Sequence, residues 1–406
     1  MSQVIERCDA LAKISDNENL ISRVFLEPSY KEGLLLVESW MHQEGLQTHF
    51  DQVANLWGRR PSLQDDAATL ILGSHLDTVP NAGRFDGILG VMVALEVVNR
   101  LNKNGVELPF HLDVVGIGDE EGVSFNASML GSKAIVGGWN DTTLELMNSH
   151  GIMLEEALIS DGFDAENYQK ACRAGDKLIG YWEVHMEQGP VLQDEYLPVG
   201  VVTAIAGARR LNVTIEGEAG HAGTVPMHLR QDALAAAAEV ILMIEKHAIE
   251  NGLVATVGQL RNFPNAVNVI PGTVQFTLDI RSENDALRET VMNRIFSDSE
   301  GIAEQRRHLA IYWNEYHWAP ATQCHPDFQQ LFAKSIEEQQ LPVRFMPSGA
   351  GHDAMTMAAI TDVAMLFVRC KDGISHHPDE DVTAEDAEVA VETLYRSVLK
   401  LAECYQ

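Results

Sequence analysis

The chain has 406 residues, 46% hydrophobic and 22% charged, which excludes a largely disordered or collagen-like chain and predicts two folded domains. Lys and Arg number 29 against 59 Asp and Glu, and the net charge of −30 argues against nucleic acid or an anionic membrane as a partner. The five cysteines (Cys8, Cys172, Cys324, Cys370 and Cys404) are scattered without a CxxC pair, so neither a disulfide framework nor a thiolate zinc site is indicated, and a reducing cytoplasm suits them.

The first residues, MSQVIERCDALAKIS, lack the basic start and apolar core of a secretory signal, and no apolar stretch approaches the roughly 18 to 20 residues that cross a bilayer. Helices are predicted at Val4 to Leu11 and Lys31 to Glu44, the second setting Leu34, Leu35, Val37, Trp40 and Met41 on one face as cover for a sheet. From Ala67, short apolar runs bounded by Gly and charge alternate with helical segments, the pattern of a parallel βαβ sheet. Four runs carry it: Thr69 to Gly73, Leu112 to Ile117, Leu178 to Val184 and Val363 to Val368. Ile88 to Leu101 is apolar on nearly every side and reads as a buried crossover helix. Near Ala208 the texture changes. Arg210 to Glu216 and Val274 to Ile280 alternate as half-exposed strands do, and Asp232 to Ile249 is an Ala-rich helix. Because the run at Val363 follows, this α+β unit reads as an insertion, 208–319, into a domain made of 1–207 and 320–406. The expected fold is α/β: a catalytic domain with a mainly parallel sheet flanked by helices, plus the inserted α+β domain.

Each of the four runs ends in acids or histidines, where ligand sites of open α/β sheets lie. In GSHLDTVPNAGRFDGILG, His75 and Asp77 are two apart beyond a strand, so both can point into one crevice, and Asp86 follows on a Gly-bounded loop. A His beside a carboxylate suits a metal ligand steadied by an outer acid, although an ordinary polar strand end reads the same. GIGDEEG sets Asp119, Glu120 and Glu121 together, which is costly at a crevice unless a cation compensates; solvated loop acids are the alternative. Its glycines are no dinucleotide fingerprint, because Glu121 stands where a Gly is required. His185 ends the run in YWEVHMEQGP, and His376 and His377 lie beyond another in GISHHPDE. One such His is commonly a core residue, but four strand ends with the same chemistry are a poor coincidence. His75, Asp86, Glu121, His185 and His376 form a sulfur-free donor set suited to Zn²⁺, Mn²⁺ or another divalent ion. Two ions suit it better than one, with Asp86 as the bridge and Glu120 placed to take a proton from water. Neither a GxSxG elbow nor an HExxH motif occurs.

These motifs resemble the metal-dependent amidohydrolases of the peptidase M20 group, in its carbamoylase and allantoate-hydrolase branch, from near Leu20 to near Lys400. The family's HxD motif matches His75 and Asp77, its bridging acid Asp86, its EE pair Glu120 and Glu121, and its last ligand His376. His185 matches the carbamoyl-hydrolysing branch, where the peptidases carry an acid. The stretches EGEAGHAGTVPM around His221, NAVNVIPG with Asn268, TLDIR ending in Arg281 and SGAGHDAM with His352 resemble its substrate-side residues. Ser124, Ala208 and His377 depart from the pattern.

The resemblance implies two divalent ions per subunit, Mn²⁺ or Zn²⁺, held by the five ligands, with Asp77 behind His75. It also implies that the inserted domain is a lid that forms a homodimer interface. The implied substrate is a small anionic ureido compound, with allantoate giving ureidoglycine, ammonia and CO₂; N-carbamoyl-L-amino acids and ureidoglycolate are the alternatives. Glu120 would move the proton, and His221 would steady the oxyanion in the neighbouring subunit's site. Arg281 would clamp the substrate carboxylate, Asn268 would bond the ureido group, and Gln188 and Arg209 would add contacts. A strand-end salt bridge is the other reading of Arg281, and loop architecture the other reading of His352. A non-catalytic binding protein on the same scaffold would be expected to lack the base or a ligand, and here all are present.

Overall fold

The computed structural model describes residues 3–405. By internal contacts the chain forms two compact units, one running up to Thr203 and resuming at Gln323, the other spanning Ala204–Thr322.

The first unit is built on a nine-stranded sheet whose centre is four parallel strands, in the order His111–Ile117, Thr69–His75, Leu178–Met186, Val363–Val368. Antiparallel strands extend it on both sides, Leu56–Arg60 and Gln47–Phe50 beyond the first and Val199–Ile205 beyond the last. Every residue of Thr69–His75, His111–Ile117 and Val363–Val368 is buried, because both faces of a parallel sheet are covered. Helix Ile88–Lys103 lies on Thr69–His75 and Leu178–Met186, with Ala384–Cys404 packed over it. Its close approach depends on Gly90, where a Cβ would come within 2.1 Å of the Val184 carbonyl oxygen.

Helix Pro28–Gln43 buries Tyr30, Leu34, Val37, Trp40 and Met41, but Leu35 is 52% exposed. The buried spacing of four, three, three and one fixes the inward face, and Leu35 lies about 100° round from Leu34. The strands at His75 and His185 run two residues further than the apolar pattern predicts, so both histidines belong to the hydrogen-bonded ladder rather than to the loops beyond it. From Thr69–His75 the chain moves first to one side, to His111–Ile117, and then to the other, to Leu178–Met186. The ends of Thr69–His75 and Leu178–Met186 therefore flank a topological switch point.

The second unit is a five-stranded antiparallel sheet, ordered Leu260–Phe263, Thr273–Ser282, Gly207–Glu216, Ala310–Ala319, with Val254–Thr256 also paired to Thr273–Ser282. Val274, Phe276, Leu278 and Ile280 turn inward to helices Ala233–Asn251 and Asp285–Gln305, and the residues between them turn outward. Asp232 and Asn284 cap those helices by accepting their first free N–H groups. Among the described residues, no helix is long and apolar enough to cross a membrane.

Candidate metal centre

His75 and His185 close two neighbouring parallel strands, and both rings are buried. His75 Nδ1 lies 3.0 Å from the Asp77 carbonyl oxygen and His185 Nδ1 2.9 Å from that of Met186. A carbonyl only accepts, so each ring donates from Nδ1 and turns Nε2 toward Asp86, at 3.8 Å from His75 and 3.1 Å from His185. Asp86 reaches this point from a tight loop. Gly87 follows it at φ +71, and a Cβ there would lie 2.4 Å from the His75 ring.

On the other side of Asp86, His376 Nε2 stands 3.1 Å from Asp86 Oδ2 and 3.6 Å from Glu121 Oε1, with its side chain half exposed. Candidate ligand atoms of His75, Asp86 and His185 lie within 4.8 Å of one another, as do those of Asp86, Glu121 and His376, so two donor sets share Asp86. A third grouping joins His75 to Glu120 and Glu121. Buried imidazoles with Nδ1 satisfied by a carbonyl and Nε2 facing carboxylates are what a divalent ion requires, and the residues present fit one.

The charges interlock. Burial opposes ionisation of Asp86, yet hydrogen bonds from His185 and His376 hold its carboxyl well below the usual range. Burial likewise opposes a charge on His185, but Asp86 raises it to about 9; His376 rises to about 9 chiefly through its hydrogen bond to Asp86. Burial lifts Glu121 to about 7, and burial with repulsion from Asp353 and Glu121 lifts Glu120 well above the carboxylate range. A raised glutamate beside the donor sets has the character of a proton-transfer group.

Asp77 has a second set of partners besides His75. Its carboxylate is 3.7 Å from His75 Nδ1, and it also accepts the N–H groups of Glu120 at 3.2 Å and Glu121 at 3.3 Å. It ties the acid pair to the first strand end. From the opposite side, buried Asn55 accepts the Gly118 N–H at 3.0 Å and donates to the Gly131 carbonyl and to Asp51. Asp119, read as loop structure, is fully buried at φ +57 with neither carboxyl oxygen hydrogen-bonded.

Three expected substrate contacts have other partners. Gln188 donates to both oxygens of Asp86, at 3.2 and 3.1 Å, and to Ser375. His352 is buried against the His185 ring, centroid to centroid 4.5 Å, and bonds Ser348. Arg209 pairs with Glu289 at 2.7 Å and with Glu315 on the helix-covered side of its sheet, because its cross-strand partner is the inward Ile280.

In the second unit, His221 and Asn268 share a two-strand ribbon in which Val269 is opposite His221 and the Ala222 N–H donates to the Asn268 carbonyl. Both side chains are exposed. Arg281 stands on the outward face, held bidentately by Asp279 through two 2.9 Å bonds. Ser124 donates to the Phe25 carbonyl at 2.7 Å, and His377 is exposed beside Asp379.

The pattern misses Glu380 and Asn55. Glu380 follows the second His of the HHPDE run by three residues, but its residue type alone reads as a loop acid; nothing local marks Asn55.

An α/β sheet with imidazole and carboxylate donors around its switch point, and a raised glutamate beside them, defines a metal-dependent hydrolase. The chain belongs to peptidase family M20/M25/M40, whose pattern matches residues 71–400, and it is a hydrolase of C–N bonds. It is 39% identical to allantoate deiminase 1 of Glycine max, over 95% of this chain and 86% of that one. It is 41% identical to an N-carbamoyl-L-amino acid amidohydrolase of Geobacillus stearothermophilus, over 91% and 90%. Among solved structures, a hydantoinase/carbamoylase family amidase from Burkholderia multivorans superposes with a TM-score of 0.92 at 32% identity, covering 98% of this chain and 97% of that one.

Proposed function

We propose that the protein hydrolyses a ureido group on a small carboxylate, with allantoate as its substrate, using two divalent ions per subunit, Mn²⁺ or Zn²⁺. The observation that carries this reading is the pair of donor sets sharing Asp86 with Glu120 beside them. His75, His185 and Asp86 would hold one ion and Asp86, Glu121 and His376 the other. Bound there, the ions would supply Lewis-acid stabilisation of charge on the ureido carbonyl and on an attacking water. Glu120 takes the proton from that water and gives it to the departing nitrogen, so allantoate and one water become ureidoglycine, ammonia and CO₂. Asp77 holds the Glu120 backbone while the proton moves, and Asn55 fixes Gly118 two residues before it.

Arg281 would clamp the substrate carboxylate by exchanging its bidentate hold on Asp279 for the substrate's two oxygens. His221 and Asn268, exposed together, suit the oxyanion and the ureido group. We further propose a homodimer through the second unit, where helix Ala233–Asn251 leaves Leu242 64% and Ile249 75% exposed, one and three turns from Ala238, which is also exposed. Five unpaired cysteines suit a cytoplasmic location.

The test is ammonia release by metal-loaded protein on allantoate, N-carbamoyl-L-amino acids and ureidoglycolate, with a chelator control. Metal-dependent turnover of allantoate is expected. Preference for a carbamoyl amino acid, favoured by the 41% identity to such an enzyme, would keep the chemistry and replace the substrate. Turnover that survives chelation would refute the metal reading.

A further inference from the structure

Asp86 and His376 lie far apart in sequence, on two loops that no common strand or helix holds in register. Between them sits Glu380. Its side chain is buried, and one oxygen, Oε1, accepts both the Phe85 N–H at 2.7 Å and the Asp86 N–H at 3.0 Å. The fit is tight: a Cβ on Gly83 would lie 2.3 to 2.4 Å from the Glu380 side chain, so the glycine of the NAGRFDG loop leaves the space that Glu380 fills. The other end of the contact is equally short. The Glu380 N–H donates to the His377 carbonyl at 3.1 Å, closing a turn that begins one residue after His376, and His376 itself is held at φ +55. Next to the clamp, Arg84 reaches Asp381 at 2.7 Å, a second tie between the same two loops.

From this geometry we infer that Glu380 is the positioning residue of the metal centre, fixing the Asp86 backbone to the His376 loop so that the shared carboxylate and the outermost imidazole are presented as one rigid unit. The physical case rests on the two N–H groups. Buried and without an acceptor, each would carry its full desolvation penalty, and the loop would rotate to find water, carrying Asp86 with it. Because Asp86 belongs to both donor sets, a displaced Asp86 weakens both. Outer partners of metal ligands characteristically govern affinity by about 10- to 100-fold. The role belongs to the acceptor oxygen and its reach, since Glu380 touches no candidate ligand atom among its hydrogen bonds.

The inference rests on the metal reading above, and a crossed pair of variants separates the two. Glu380→Gln keeps an oxygen at the same reach and removes the charge; Glu380→Asp keeps the charge and withdraws the oxygen by one methylene. Metal-stripped full-length protein is titrated with Mn²⁺ by calorimetry and by electron paramagnetic resonance, with thermal unfolding of the stripped forms in parallel. Glu380→Asp is expected to bind Mn²⁺ at least tenfold more weakly and to lose spin coupling between ions, with unfolding close to wild type before metal is added. Glu380→Gln should stay within about threefold of wild type. Gly83→Ala, which pushes the clamp out from the other side, should resemble Glu380→Asp. Wild-type affinity in Glu380→Asp, or loss in Glu380→Gln with retention in Glu380→Asp, would overturn the clamp. A wild-type protein that binds neither Mn²⁺ nor, in a parallel calorimetric titration, Zn²⁺ would instead overturn the metal reading beneath it.

Discussion

At the ends of the parallel strands, His75, Asp86 and His185 are buried and each hydrogen-bonded, whereas His221 and Asn268 stand exposed on a two-strand ribbon of the second unit. The two regions satisfy different physical demands. A charged donor set is tolerable in a core only if its members neutralise and hydrogen-bond one another, which is also what presents them in fixed geometry. Groups that meet a substrate must stay reachable, and in the proposed reading the surroundings of His221 and Asn268 are completed by substrate and a partner subunit. In that reading the first region is finished as folded, and the second is not.

Removing the proton carrier of the finished region gives the largest effect. Glu120→Gln should lower turnover by about 10²- to 10⁴-fold while leaving metal content unchanged, because Glu120 lies in only one of the three donor groupings and in neither set that shares Asp86. Equal loss of metal and activity would make Glu120 a ligand instead. In the unfinished region, His221→Ala should cost about 10²- to 10³-fold. If the partner subunit completes the site, mixing His221→Ala with Glu120→Gln protein restores activity, since each heterodimer then holds one intact combination. No recovery after verified subunit exchange would mean that His221 serves its own subunit.

The contrast extends to pH. In the metal-free first unit, His185 and His376 are raised from 6.5 to about 9 and Glu121 from 4.5 to about 7. Each binds its proton more tightly folded than unfolded, so each contributes stability that is complete below its unfolded value and disappears as pH rises through its folded value. Stripped protein should therefore lose thermal stability progressively from about pH 4.5 to 9, most visibly between 6.5 and 9. Metal must displace these protons, so loading near pH 7 should release protons measurable in a weakly buffered solution, and affinity should climb toward pH 9. A stripped protein with flat stability across that window would show that the imidazoles are already neutral.

The sequence makes the strand ends and their ligand types legible because burial of a parallel strand writes itself as an apolar run, and a His or acid closing it stands out. It does not reveal the backbone ties. Two-residue spacing shows Asp77 beside His75, but not that its carboxylate also takes the N–H groups of Glu120 and Glu121, some forty residues on. Asn55 and Glu380 act through main-chain groups of distant segments, and a main-chain N–H has no residue type to betray it. Gln188 is a similar case: read as a substrate contact, it has an amide that also meets Asp86, which the sequence does not reveal.

The finest discrimination lies between two arginines of the second unit, one read from sequence as the carboxylate clamp and the other as an added substrate contact. Arg281 is on the outward face of its sheet, oriented by Asp279; Arg209 is on the helix-covered side, bridging Glu289 and Glu315. One-residue parity along a strand decides the difference, since Ala208 opposes Arg281 while Arg209 opposes Ile280. Arg281→Ala should raise KM for an anionic substrate by roughly ten- to a hundredfold with a smaller change in kcat, as expected when a charged hydrogen-bond pair to substrate is lost. Arg209→Ala removes partly exposed ion pairs worth about 1 kcal/mol or less, so it should shift unfolding slightly and leave kcat/KM within about threefold. Comparable KM increases in both would place Arg209 in substrate binding after all, and would mean that its side chain leaves Glu289 and Glu315 when substrate arrives.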